Sequence, residues 1–173
     1  MNIGDAAPTF DVQTDTGARF SLAGVHGRWV IVWFFPESES ISTDTQARGF
    51  ERLLESFINV NAVVVGVSIE AREEHIALRS RNHLTFPLCT DRSKAISSVY
   101  DVMKGLEGWR GRANRQTFLI DPDGRIVFVW TKINPRMHAK TVLEVLENMA
   151  IERRVLELEG QNGRGKRKGE RLK

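Results

Sequence analysis

Apolar positions along residues 10–150 switch between runs of alternating or continuous hydrophobicity and helical spacing. Phe10–Val12 and Arg19–Leu22 flank Asp15-Thr16-Gly17, a hairpin signal in which glycine takes the positive φ of the turn. Arg28–Phe35 is almost continuous in β-branched and aromatic residues, which predicts a central strand covered on both faces; Pro36 ends it because proline has no amide to donate. From Thr43 onward, Phe50, Leu53, Leu54, Phe57 and Ile58 recur at i, i+3, i+4, i+7 and i+8, the stripe of one amphipathic helix. Ala62–Ile69 predicts a second buried strand, about Ala71–Arg81 a polar helix, Phe86–Cys89 a short strand and Ser93–Val102 a short helix. Gln116–Asp121 and Arg125–Trp130 are strands joined by Asp121-Pro122-Asp123-Gly124, where Pro122 presets φ and Gly124 accepts φ > 0, so they pair antiparallel. After Pro135, Val142, Leu143, Val145, Leu146 and Met149 predict a last amphipathic helix. This order predicts an α/β sandwich with a mixed sheet between helices.

Composition narrows the reading. With 173 residues, 41% hydrophobic and 27% charged, the chain suits one compact domain. No apolar run reaches the roughly 18 residues of a membrane-spanning helix, and the first residues lack a secretory pattern, so the expected location is cytoplasmic. The charge is uneven. Gly160–Lys173 hold six of the 25 basic residues and one acid, Glu170, a net +5 against +3 for the whole chain. Residues 1–159 therefore form the expected domain, and residues 160–173 a basic, disordered tail able at most to contact nucleic acid weakly and without sequence preference. A lone cysteine, Cys89, excludes an intramolecular disulfide, a Cys-x-x-Cys pair and a multi-thiolate zinc site.

A more specific resemblance lies in Ile3–Phe10, Asp15–Gly17, Phe20–Leu22, Gly27–Pro36, Gly66–Ser68, Phe86–Leu88 and Thr117–Gly124. In this order and spacing, over roughly residues 3 to 150, they resemble the peroxiredoxins of AhpC/TSA type, nearest the bacterioferritin comigratory protein group. The resemblance implies a thioredoxin-like fold with a mixed central sheet flanked by helices and an N-terminal β-hairpin extension. It also implies hydroperoxide reduction by a cysteine in the first turn of the helix after the strand-end proline. There the helix terminus and an arginine favour the thiolate. Matched through Pro36 and Gly49-Phe50, that position falls on Thr43, and an optional resolving position falls on Arg48. The preceding pair is Ser40-Ile41, where the family usually has threonine and proline, whereas Arg115 matches the active-site arginine.

A threonine hydroxyl stays protonated near neutral pH and has no sulfenic-type oxidation states, so Thr43 is not expected to be active. Its structural role would be a cap, with Thr43 and Gln46 forming a capping box. A functional variant keeps that cap and lets the exposed amides and Arg115 hold a small anion or carboxylate, with Ser40, Ser42 and Trp109 as the expected binding residues. Cys89 reads as a buried thiol or, alternatively, as a relocated redox nucleophile. His26, His75, His83 and His138 show no ligand spacing, and Glu73-Glu74-His75 reads as a solvated helix face, so no metal is expected. Phosphate-cradling and dinucleotide-binding glycine patterns are missing, so no cofactor is expected either. Trp109, between Gly108 and Arg110, is the tryptophan expected near a site or an interface. Two functions follow. The first is a peroxiredoxin-like protein without peroxidase activity, acting as a binding, regulatory or scaffold protein that pairs with itself or with a redox partner. The alternative is an antioxidant oxidoreductase using Cys89 and an external thiol.

Overall fold

The computed structural model describes residues 1–169, with side chains through Gly160. Two strands, β1 (Asp11–Gln13) and β2 (Arg19–Ser21), form the N-terminal hairpin; Gly17 takes φ +89° in its turn. The main sheet has the order β5-β4-β3-β6-β7, from β3 (Trp29–Phe34), β4 (Ala62–Ser68), β5 (Leu88–Thr90), β6 (Gln116–Ile120) and β7 (Ile126–Trp130). β3, β4 and β5 run parallel, while β6 opposes β3 and β7 opposes β6. This is the thioredoxin-like mixed sheet with an N-terminal hairpin. Every residue of β3 is buried, as a strand between two layers must be.

The helices are α1 (Ile41–Arg52), α2 (Leu54–Asn59), α3 (Arg72–Asn82), α4 (Ala95–Val99), α5 (Gly105–Trp109) and α6 (His138–Gly169). One face of the sheet packs Trp33 and Phe35 against Phe50 of α1, Phe57 of α2, Leu78 of α3 and Leu146 of α6. The other face packs Val32, Phe34, Val67 and Cys89 against Phe10 and Phe20 of the N-terminal segment, Ile96 of α4 and Tyr100. Successive strand residues therefore serve opposite cores, as a period of two requires.

Several local expectations change. The single helix expected from Thr43 to Ile58 breaks at Leu53, whose φ of −101° and ψ of 7° depart from helical values. The strand expected at Phe86–Cys89 lies at Leu88–Thr90 because its pairing is with Gly66–Ser68 of β4. His75, read as solvated, is buried, with its ring 5.6 Å from that of Phe35 and Nδ1 3.1 Å from Thr90 Oγ1. Helix α6 runs on to Gly169, into the segment read as a disordered tail; residues 170–173 lie outside the described residues. Among the described residues, no helix is long and apolar enough to cross a membrane.

Candidate active site

The loop after β3 turns into α1 through a set of short hydrogen bonds. Ser38 donates from both its amide and its hydroxyl to Glu70 Oε2, at 2.6 and 2.5 Å, while Arg81 Nη2 donates to the Ser38 carbonyl at 2.9 Å. Asp44 accepts from Arg81 at 2.9 Å and from Asn82 at 2.7 Å, so α3 braces the first turn of α1. Ser40 is the N-cap: its hydroxyl accepts from the Thr43 amide at 3.0 Å. This corrects the capping box expected at Thr43, which instead is the third helical residue. The helix starts one turn earlier than the apolar stripe implied, because Ile41 is exposed and contributes nothing to that stripe.

Thr43 is buried, and its oxygen is saturated. Thr43 Oγ1 donates to the Glu37 carbonyl at 2.7 Å and accepts from Ser40 Oγ at 2.9 Å and from Arg115 Nη2 at 2.9 Å. One proton given and two accepted exhaust a hydroxyl, so Thr43 has no lone pair left with which to attack a substrate. Arg115 lies just before β6, and its Nη1 donates to Gln46 Oε1 at 2.9 Å. The buried Gln46 Nε2 has no partner among the described residues. Burial lowers the pKa of Arg115 from its ordinary value while Glu37 pulls the other way; a guanidinium so shifted keeps its charge near neutrality. Arg112 Nη1 meets Glu37 Oε2 at 2.6 Å, drawing the segment after α5 onto the rim. The first-turn amides of α1, of which Ser40 takes that of Thr43, and the charge of Arg115 set a positive potential at this end of the helix.

Of the residues singled out in the sequence, the structure brings Ser40, Thr43 and Arg115 together. Ser42 is exposed in the same turn and does not join the network among the described residues. Trp109 stands in solvent at the end of α5, 84% exposed, and makes no hydrogen bond to this network among the described residues. Glu37, Gln46 and Arg112 complete the site without having been singled out as site residues. Gln46, three residues after Thr43, carried a signal, read as capping. Arg112 and Glu37 come from segments 75 residues apart and carried none.

Cys89 lies elsewhere. It is 0% exposed, in a core cluster with Val32, Phe34, Val67 and Tyr100, on the face of the sheet away from Phe50 of α1. Burial pushes its thiol far above the usual range, and the carboxylates of Asp15 and Asp91 push the same way. β5 is an edge strand, and its outer side is closed by the N-terminal hairpin through a bridge between Thr14 and Cys89. Asp15 clamps that closure. Its buried carboxylate takes both arms of Arg79, Nε and Nη2, and Arg79 also holds the carbonyls of Leu84 and Phe86. The Asp15 amide donates to the Leu88 carbonyl at 2.9 Å, and Arg72 Nε donates to the Asp15 carbonyl at 2.7 Å. Among the described residues, no three His, Cys, Asp or Glu side chains converge to hold a metal.

Comparison with known proteins agrees with this architecture. The AhpC/TSA family profile matches residues 3–129. The chain is 29% identical over 153 residues to peroxiredoxin Bcp of Bacillus subtilis, covering 87% of this chain and 98% of that protein. Among solved structures, a cysteine-to-serine variant of Xylella fastidiosa PrxQ superposes with a TM-score of 0.81 at 29% identity, over 87% of this chain and 98% of the other. A Xanthomonas campestris bacterioferritin comigratory protein, described for its alkyl peroxide reduction activity, has a TM-score of 0.75 at 27% identity, covering 82% and 92%. These relatives overturn the expectation of a binding, regulatory or scaffold protein without peroxidase activity. Their names are those of peroxiredoxins, and a free cysteine, Cys89, is present in this chain.

Proposed function

The chain belongs to the AhpC/TSA family, and from that premise we propose that it is an antioxidant oxidoreductase, reducing hydroperoxides through Cys89 with an external thiol as reductant. The observation that carries this reading is the family match, joined to the fact that Cys89 is the only thiol the chain possesses. Thr43 cannot supply the step, since an alcohol has no counterpart to the sulfenic acid. The balanced sequence is short. The Cys89 thiolate attacks the O–O bond of a hydroperoxide, an alcohol leaves after taking up a proton, and Cys89 becomes a sulfenic acid. One external thiol condenses with it and releases water; a second cleaves the mixed disulfide and restores the thiol.

The closed fold keeps Cys89 protonated and covered, so reaction requires the hairpin to lift from the edge of β5. The cycle is therefore gated by local opening, a motion that strand edges and terminal segments undergo more readily than the core. A reducing, cytoplasmic setting supplies the thiol that such a route consumes. We assign Arg115, Ser40 and the first turn of α1 to binding a polar or anionic group, with Thr43 as the oxygen that fixes Arg115 in place.

Hydroperoxide consumption by the purified protein, coupled to a dithiol, tests the reading. Turnover above that of the free thiol and lost in Cys89→Ser is the expected result. Turnover that persists in Cys89→Ser overturns the role of Cys89, and no turnover above free thiol overturns the activity.

A further inference from the structure

A hollow of about 680 Å³ lies between α1 and α6. Its floor is the place where the two helices touch. A Cβ added to Gly49 would stand 3.3 Å from that of Ala139, so two of the smallest residues meet there and leave open space above them. Leu53, Met137 and Leu143 wall that space with apolar surface. Such a volume, lined mainly by apolar side chains with a few charged ones, is within the range of about 300–1,000 Å³ usual for small-molecule sites. From Ala139 to Glu147 the hollow follows about 12 Å of α6, a length that an extended alkyl chain of roughly ten carbons covers.

Charge selects the head group. Arg52, Arg136 and Lys140 line the hollow against Glu144 and Glu147. Lys140 Nζ is 3.8 Å from Glu144 Oε1 with both side chains largely in water, a weak pair. Neither Arg52 nor Arg136 has a carboxylate within 4.0 Å among the described residues, so two guanidinium groups border an apolar surface without a counterion. Along the chain, Arg136 and Lys140 stand at the start of α6, and Glu144 and Glu147 follow one and two turns beyond Lys140. An anion held at the start of α6 therefore meets both cations and lies away from the second carboxylate. A cationic head would be repelled there.

We propose that this hollow is a binding site for a small amphipathic anion, an alkyl carboxylate of about ten carbons, with its chain on Leu53, Met137 and Leu143 and its carboxylate between Arg136 and Lys140. The hollow is on the α1–α6 side of the sheet and Cys89 is on the other, so the site does not rest on the thiol chemistry proposed above.

Calorimetric titration of the full chain with decanoate and with decyltrimethylammonium tests it, with backbone amide chemical shifts locating the bound probe. The expected result is one saturable site for decanoate with a Kd below about 1 mM, at least about tenfold tighter than for the cationic probe. The largest shifts should fall on the amides of Gly49, Leu53, Ala139 and Leu143. In the double variant Arg136→Glu/Lys140→Glu both altered side chains are exposed, so the thermal unfolding midpoint should stay in place while decanoate affinity falls at least about tenfold. No saturable binding of decanoate, equal affinity for the two probes, or shifts clustered away from the hollow would overturn the proposal. Undiminished affinity in the double variant would do so as well.

Discussion

Arg115 and Thr43, 72 residues apart in the chain, meet through a 2.9 Å hydrogen bond from Nη2 to Oγ1. A full positive charge and the helix terminus therefore bear together on one side-chain atom, Thr43 Oγ1.

Substituting that atom is therefore informative. In a Cys89→Ser background, Thr43→Cys should yield a thiol with a pKa at least about one unit below the ordinary 8.5, because Arg115 and the helix N-terminus both stabilise the anion. Ultraviolet titration of the thiolate measures it. A thiol titrating at 8.5 or above would show that these groups do not act on the position.

Removing the arginine should cost stability as well as reactivity. Arg115→Met strips the donor from Gln46 Oε1 and leaves both polar ends of a buried amide unpaired, since Nε2 already lacks a partner among the described residues. A loss of about 1–3 kcal/mol follows from leaving such groups unsatisfied. Urea unfolding midpoints would reveal it; an unchanged midpoint would mean that Gln46 repacks or reaches water.

Access to Cys89 should be set by the hairpin latch. The backbone of Cys89 bridges to Thr14, Phe10 and Phe20 of the N-terminal segment share the core cluster of its thiol, and Asp15 is held by Arg79 across 64 residues. Breaking a buried ion pair from one side costs about 3–5 kcal/mol, so Asp15→Asn should make the opening easier. A gain of about 3 kcal/mol in opening corresponds to roughly a hundredfold faster labelling of Cys89 by an aromatic disulfide reagent under native conditions. Equal labelling rates in the two proteins would exclude the hairpin as the gate.

Two buried imidazoles should make the fold acid-sensitive. Burial holds His75 at about 4, against the pull of Asp15 and Glu74; burial and then the nearby Arg115 hold His138 at about 4. Both groups bind protons more weakly when folded than at the ordinary 6.5, so the unfolded chain takes up protons first as pH falls. Their contribution is complete above about pH 6.5 and is lost as pH drops toward 4, by on the order of 3 kcal/mol for each histidine. Urea midpoints at pH 7.5 and 4.5 should differ accordingly, and His75→Gln should remove roughly half of that difference. A midpoint independent of pH over this range would refute the assignment.

Features set by neighbouring residues lie close to where the local pattern places them. The alternation of strand and helix, the turn at Asp121–Gly124 and the helix after Pro135 all follow from neighbouring residues and returned close to their expected places. The break at Leu53 and the burial of His75 did not, because each depends on what packs against the segment from elsewhere, while the local cap at Ser40 is hidden by the exposed Ile41, which breaks the apolar stripe. His75 sits on a helix that is polar by composition, yet its one inward position meets Phe35 and Thr90.

The sequence by itself determined the chemistry available: one thiol at Cys89, a hydroxyl at Thr43 and a guanidinium at Arg115, with the order of elements that carries them. Only the tertiary structure decided that Arg115 closes on Thr43 while Cys89 is walled off on the opposite face beneath the N-terminal hairpin. Residue type and periodicity are local properties. Which strand lies beside which, and therefore which distant side chains share a pocket or a sheet face, is set by the packing of the whole chain around its core.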